Sequence, residues 1–133
     1  MDRMELMKLF NKRPRIGTLS TVSGNGDPNV AVFGSPQMID ENTVVMGIGK
    51  NRSFRNLKEN PKAVFIVMEP GDTVFDWKGA RVYLEAIDME TSGGFYTQVR
   101  EDIAKAAGQQ AASMIHAAVR FRITGIRHIV DMP

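Results

Sequence analysis

The fold is decided within residues 43–68, which read TVVMGIGKNRSFRNLKENPKAVFIVM. Residues 43–48 are rich in β-branched side chains and predict a strand. The polar residues 53–59 predict a short helix, which Asn60-Pro61 ends because a residue that precedes proline disfavours helical dihedral angles. Residues 63–68 are continuously apolar and of strand length, a pattern consistent with a strand buried on both faces.

Turn signals lie on the N-terminal side of this stretch. Residues 23–27, SGNGD, contain an Asn-Gly pair that tolerates positive φ at both turn centres, and they predict a hairpin that leads into a strand at residues 30–33. A second turn at residues 40–42 separates that strand from residues 43–48, so we expect these two strands to be antiparallel neighbours. Residues 2–11 predict a helix that opens with an Asp2-x-x-Glu5 capping box.

The C-terminal half alternates between strand and helix signals. Residues 80–89 alternate with one slip in phase and predict a strand. Phe95, Val99, Ile103 and Ala107 recur at intervals of four and predict an amphipathic helix closed by Gly108. We expect residues 109–118 to be helical and residues 119–126 to form a final half-exposed strand.

Frequent turns with a single long helical insertion favour a mainly β fold. The pattern predicts an antiparallel barrel or sandwich with helical decorations and argues against a βαβ nucleotide fold. The chain has 133 residues, a length that suits one domain, so we expect residues 1–133 to form a single domain.

The composition excludes several classes of protein. The sequence holds no cysteine, which excludes disulfide scaffolds and thiolate metal sites and favours a cytoplasmic setting. The formal net charge is only +2, from 17 basic and 15 acidic residues, so we expect no nucleic-acid partner. No apolar stretch has the length of a signal peptide or a membrane span, so we expect no membrane partner.

Few residues have the pattern of a catalytic centre. The two histidines, His116 and His128, fall on different predicted elements, so we expect no metal site. No G-x-S-x-G elbow, Walker loop or complete G-x-G-x-x-G occurs. No residue is identified as a catalytic acid, base or nucleophile.

The strongest chemical signal is the cationic start of the short helix, at Lys50, Asn51, Arg52 and Ser53. A helix N-terminus presents unpaired backbone N–H groups, and an arginine beside it can grip a phosphate with two parallel hydrogen bonds. These residues therefore predict a binding site for one small anion. The alternative is a solvated helix face on which Ser53 is only the N-cap.

A family resemblance strengthens the anion hypothesis. Residues 52–61, RSFRNLKENP, resemble the S-R-K-x-x-x-L-x-x-N-P stretch of the split-barrel family that binds flavin mononucleotide (FMN) and includes pyridoxamine 5′-phosphate oxidase. Asn51 and Ser53 replace the serine and lysine of that pattern. Residues 24–33 resemble the family's first hairpin and residues 81–86 a later strand, so the resemblance covers about residues 13 to 90.

The resemblance implies a split β-barrel of Greek-key-like topology and a homodimer whose flavin sites lie at the subunit interface. It implies that Arg52 and Ser53 hold the FMN phosphate, flanked by Lys50 and Asn51. The isoalloxazine ring is expected against residues 30–35 and 46–48, where Gly34 and Gly47 leave room for a planar ring. The implied ring contacts are Val30, Ala31, Val32, Phe33, Met46, Gly47, Ile48 and Arg81. Gly34 could equally mark a β-bulge and Arg81 could equally be a surface strand residue.

The implied function is that of an FMN-dependent oxidoreductase with an unidentified small-molecule substrate or electron-transfer partner. True pyridoxamine phosphate oxidase activity is not expected, because the Arg-Leu-x-Pro-type end of that enzyme is replaced here by residues 129–133, IVDMP. Three alternatives stay open. They are an FMN protein for electron transfer or storage without a substrate, a relative that binds haem or the deazaflavin F420, and a ligand-free interaction domain.

Overall fold

The computed structural model describes residues 1–131. Its strands are β1 (Ile16–Val22), β2 (Pro28–Val32), β3 (Gln37–Asp40), β4 (Thr43–Ile48), β5 (Lys62–Glu69), β6 (Lys78–Glu90) and β7 (Ala117–Arg127). Its helices are α1 (Arg3–Asn11), α2 (Arg52–Glu59), α3 (Gly94–Ala107) and α4 (Gln109–Ser113), with a 3₁₀ turn at Val74–Asp76. The longest helix within residues 1–131 has 14 residues, and no helix there could span a membrane.

The seven strands form one antiparallel sheet in the order β2-β1-β5-β6-β7-β4-β3. The β1–β2 and β3–β4 hairpins lie at opposite edges, and the later strands fill the space between them. This Greek-key-like order and the alternating burial of the strands confirm the mainly β split-barrel prediction. Inward side chains from six strands, all except β2, contribute to the core, among them Leu19, Met38, Val44, Phe65, Val82 and Phe121.

The first hairpin forms where the sequence predicts it, with a different turn geometry. Gly26 has φ of +87°, and no residue other than glycine has a positive φ among residues 1–131. Asn25 therefore does not share the positive φ that we expected of both turn centres. The Ser23 hydroxyl accepts hydrogen bonds from the Asn25 and Asp27 backbone N–H groups, which stabilises a wider turn.

The expectation that strand 30–33 is the neighbour of strand 43–48 is wrong. A separate short strand, β3, pairs with β4, while β2 pairs with β1 and with no other strand of residues 1–131. The sequence pattern missed β3 because it has four residues and follows directly after Pro36. Helix α1 packs beside β3, and the Asn11 side chain exchanges two hydrogen bonds with the backbone of Met38.

Strand β5 is buried on one face only. Ala63, Phe65 and Val67 point into the core, whereas Val64 and Ile66 remain partly exposed. The prediction that both faces are buried therefore fails for the isolated chain. The slip in phase predicted within residues 80–89 is confirmed by a register shift between Ala86 and Asp88 of β6.

The helical insertion between β6 and β7 ends earlier than expected. Helix α3 closes at Gly108, whose φ is +95°, as its glycine predicted. Helix α4 ends at Ser113, and β7 begins at Ala117. The prediction of a helix over residues 109–118 is therefore wrong for the second half of that range. Pairing of Ala117 and Ala118 with β4 outweighs the helix propensity of alanine at these positions.

Candidate functional site

Helix α2 begins at Arg52 and is capped by Asn51. The Asn51 side-chain oxygen accepts a hydrogen bond of 3.0 Å from the Phe54 backbone N–H, and the Asn51 carbonyl accepts one of 3.0 Å from Arg55. Ser53, which the alternative interpretation made the N-cap, instead lies in the first turn. Because Asn51 performs the capping, the Ser53 hydroxyl is available for another contact.

Ser53 joins the start of α2 to the first hairpin. Its side chain is buried, and its hydroxyl oxygen accepts a hydrogen bond of 3.3 Å from the Asn29 side-chain amide of β2. Deeper in the helix, the buried Asn56 amide donates to the Thr21 hydroxyl at 3.1 Å. These two contacts hold the N-terminal turn of α2 against β1 and β2.

The N-terminal turn of α2 is rich in donors. Within residues 1–131, the Arg52 and Ser53 backbone N–H groups have no protein acceptor. The Lys50 and Arg52 side chains are exposed, and neither forms an ion pair with a residue in that range. This donor set suits an anion, because the helix end adds a partial positive charge to the two side chains.

A cavity of about 620 Å³ opens beside this turn. One wall is formed by β4 and the segment before β3, and the other by α3 and α4. The lining is mainly apolar and consists of Arg13, Val32, Phe33, Gly34, Ser35, Gln37, Val45, Met46, Gly47, Gly49, Asn51, Val99, Asp102, Ile103, Ala106, Ala107, Ala111, Met114 and Ile115. Its volume lies in the range of about 300–1,000 Å³ that is usual for small-molecule sites.

The two glycines expected to face a flavin ring have different surroundings. A Cβ at Gly47 would lie 2.6 Å from Ile103 Cδ1 and 2.9 Å from Ile115 Cδ1, so the missing side chain admits the isoleucines of the opposite wall. A Cβ at Gly34 would meet nothing within 4 Å. The Ser35 hydroxyl donates to the Gly47 carbonyl at 2.8 Å and accepts from its N–H, which ties residues 34–35 to β4.

The structure brings five of the predicted site residues together as part of the cavity lining, namely Val32, Phe33, Met46, Gly47 and Asn51. Lys50, Arg52 and Ser53 do not line the cavity but flank Asn51 in the chain. The other four, Val30, Ala31, Ile48 and Arg81, lie elsewhere. Val30 points outward from β2, Ala31 is half-buried on the opposite face of that strand, and Ile48 is buried in the core.

Arg81 stands apart from the cavity. Its guanidinium donates to the His128 carbonyl and to the Asp131 carboxylate, each at 2.6 Å, and so fastens the segment after β7 to β6. The ion pair lowers the pKa of Asp131 below its ordinary value. The pattern of residues 81–86 gave no sign of this contact, because its partners lie outside that strand.

The sequence did not reveal the second wall of the cavity. Periodicity predicted α3, but it could not show that Ile103 and Ile115 would cover Gly47. Arg13 and Gln37 were also missed, and no motif marks them. Among residues 1–131, no three His, Asp or Glu side chains converge as metal ligands would. His116 packs edge-on against Phe54, with ring centroids 4.9 Å apart.

Comparisons with known proteins agree with this architecture. The family model described as pyridoxamine 5′-phosphate oxidase matches residues 4–129. No curated protein matches the chain.

Three solved structures are similar over nearly the whole chain. An FMN-binding protein from Syntrophomonas wolfei subsp. wolfei is 25% identical, with 98% of this chain and 87% of that chain covered and a TM-score of 0.84. HutZ, the haem storage protein from Vibrio cholerae, is 22% identical, with 96% and 95% covered and a TM-score of 0.70. An F420 reductase is 20% identical, with 90% and 94% covered and a TM-score of 0.62. The similarity to HutZ and to the F420 reductase, at 22% and 20% identity, shows only that these proteins share the fold of this chain.

Proposed function

Because this chain belongs to the pyridoxamine 5′-phosphate oxidase family, we propose that it is an FMN-binding oxidoreductase. The observation that carries the proposal is the donor-rich start of α2, which opens directly onto an apolar cavity. An anionic group beside an apolar ring system is the chemistry of FMN, and the similar protein from Syntrophomonas wolfei is described as FMN-binding.

The phosphate would be held at the N-terminal turn of α2. The Arg52 and Ser53 N–H groups, the Ser53 hydroxyl and the exposed Arg52 and Lys50 side chains offer enough donors for a dianion. Asn51 supports the turn as its cap. The donor set therefore fits the group, although serine stands where the family pattern has lysine.

The ring would lie in the cavity against Val32, Phe33 and Gly34. The open space at Gly34 admits a planar group, and Ser35 fixes the backbone of this segment to Gly47. Ile103 and Ile115 exclude water from the opposite side. FMN, when bound, supplies hydride or single-electron transfer, and the surrounding residues bind it and tune its potential.

We also propose that two copies associate through the outward face of β2, β1, β5 and β6. Two rows of side chains cross this face in register, Val30–Ser20–Val64–Tyr83 and Val32–Thr18–Ile66–Arg81. Val30 is 62% and Val32 78% exposed in the isolated chain. Covering this face would bury the second side of β5, which its apolar sequence predicts, and would bring Arg81 to the interface.

The first experiment is an absorption spectrum of the purified protein before and after addition of FMN. We expect shifted flavin bands and a Kd that Arg52→Ala raises by roughly 30- to 1,000-fold, equivalent to about 2–4 kcal/mol for a charge-assisted bidentate contact. Arg55→Ala, on the same helix, is the matched control and should leave Kd within about threefold. A protein that binds no FMN, or binds haem or F420 instead, would overturn the proposal.

Two further measurements separate the parts of the proposal. Turnover of NAD(P)H with an electron acceptor distinguishes an oxidoreductase from a protein that only stores or carries FMN. Sedimentation of Val30→Asp tests the dimer, because Val30 lies on the proposed face but outside the cavity; Ile39→Asp on the other edge of the sheet is the control. We expect only Val30→Asp to yield monomers, and a monomeric wild type would refute the association.

A further inference from the structure

Two arginines without a counterion converge on the segment that precedes β3. Arg13 Nη2 donates to the Pro36 carbonyl at 3.0 Å, and Arg15 Nη2 donates to the same oxygen at 2.7 Å. Arg15 also donates to the carbonyls of Phe10 and Phe33. Within residues 1–131, neither guanidinium lies within 4.0 Å of a carboxylate.

The two charges are partly removed from water. The Arg15 guanidinium lies over the rings of Phe10 and Phe65, with distances of 5.4 and 5.1 Å to their centroids. Burial, together with the nearby Arg13 charge, lowers the pKa of Arg15 to about 10. Burial also lowers the pKa of Arg13. Both arginines stay charged at neutral pH, so an anion beside them would relieve their mutual repulsion.

Of the pair, Arg13 is the one that lines the cavity. Its Nη1 donates to the Phe10 and Lys12 carbonyls and its Nη2 to Pro36, which leaves Nε–H and one Nη2–H without an acceptor in the described part of the chain. Both groups are charged donors on neighbouring nitrogens of the guanidinium, and a carboxylate is the acceptor that suits them.

Arg13 lies at the end of the cavity that is remote from α2. Arg13 bonds to the carbonyl of Pro36, and the next residue, Gln37, pairs with Val45 of β4. Val45 is the first residue of this part of the chain that lines the cavity, and Gly49, just before α2, also lines it. Val45 and Gly49 are four residue-to-residue steps apart, which in extended chain corresponds to about 13 Å. A cofactor phosphate at α2 and an anion at Arg13 would therefore occupy opposite ends.

We propose that the cavity binds a substrate with an apolar body and a single carboxylate, and that Arg13 holds the carboxylate. The body would contact the alanines of the α3–α4 wall, Ala106, Ala107 and Ala111. Asp102, the one acid in the lining, disfavours a second negative charge on the ligand. This inference rests on the proposed function, because substrate and FMN share the cavity.

The test is calorimetric titration of 3-phenylpropionate and of its uncharged analogue 3-phenylpropanamide, with FMN-loaded and FMN-free wild type. We expect the acid to bind at least tenfold more tightly than the amide. Arg13→Gln should weaken acid binding at least tenfold and leave amide binding within about twofold. Arg3→Gln is the matched control, since Arg3 also donates to a carbonyl but lies outside the cavity.

The outcomes distinguish this inference from the proposed function. If FMN binds and the acid does not, or if acid and amide bind equally, the carboxylate site is refuted while the flavin proposal stands. If FMN does not bind but the acid binds in an Arg13-dependent way, the carboxylate site stands alone. In FMN-loaded wild type the α2 turn is occupied by the phosphate, so equal binding of acid and amide there refutes the carboxylate site even if Arg13→Gln does not fold.

Discussion

Gly47 offers a quantitative test of how the cavity is built. Ordinary carbon–carbon contacts are about 3.5–4.0 Å, so a Cβ at position 47 would approach Ile103 Cδ1 about 0.9 Å and Ile115 Cδ1 about 0.6 Å too closely. Both atoms end flexible side chains, so adjustment is possible at a cost. Overpacking of this kind costs about 1–3 kcal/mol, and we expect about 1–2 kcal/mol for Gly47→Ala.

A second substitution identifies the contact responsible. Ile103→Val removes the Cδ1 atom that the new methyl group would strike, and alone it should cost about 0.5–1 kcal/mol because the side chain is only half-buried. In the double variant the clash with Ile103 is absent. We therefore expect the destabilisation of the double variant to be about 1 kcal/mol smaller than the sum of the two single destabilisations.

Urea unfolding measures these effects. With an m-value of about 1.5 kcal/mol/M, a loss of 1.5 kcal/mol lowers the midpoint by about 1 M at unchanged m. Gly34→Ala is the control, since its new methyl group meets no atom within 4 Å, and its stability should change by less than about 0.5 kcal/mol. Equal effects at Gly34 and Gly47, or additivity with Ile103→Val, would show that the α3–α4 wall does not rest on β4 as described.

Three further predictions concern individual contacts. Asn56→Ala leaves the buried Thr21 hydroxyl without its partner and should lower the free energy of unfolding in urea by about 1–3 kcal/mol. Adding Thr21→Val to this variant should lower the free energy of unfolding by less than Thr21→Val does in the wild type. Ser35→Ala removes the hydroxyl that bonds to both the backbone N–H and the backbone carbonyl of Gly47 in β4 and should cost about 1 kcal/mol by the same assay, whereas no change would mean that water replaces it. Arg81 lowers the pKa of Asp131, so the stabilisation from this pair is present above the unfolded-state pKa and is lost as pH falls through the lowered folded-state pKa. Side-chain NMR titration of Asp131 should show the lowered pKa, and Arg81→Gln should raise it toward the ordinary value.

The sequence predicted the elements whose boundaries carry strong local signals. Asn60-Pro61 ends α2, Asp2 caps α1 through the Glu5 N–H, and Gly108 closes α3, each as expected. Such signals act within a few residues and do not depend on the rest of the fold. The cationic turn at the start of α2 was predicted for the same reason, since Lys50 and Arg52 are adjacent to a predicted helix start.

The features that the sequence did not predict depend on distant partners. Strand β3 has too few residues for a periodic signal and exists because β4 and α1 flank it. Residues 117–118 have helix propensity but pair with β4 and β6. Arg13 reaches the cavity because the Pro36 carbonyl lies within hydrogen-bond distance of its side chain. These two residues are 23 positions apart, so no local sequence pattern predicts the contact.

The pairing of β6 with β7 has a consequence for how this fold diversifies. Glu90 at the end of β6 pairs with Ala118 at the start of β7, so the chain leaves and re-enters the sheet at adjacent positions. The 25 residues from 91 to 115 therefore form an insertion that supplies one cavity wall without pairing with any strand. Exchanging this insertion between relatives should alter ligand preference while leaving the strand registers unchanged, and chimeras with the breakpoints at 90 and 116 are the natural units for such exchanges.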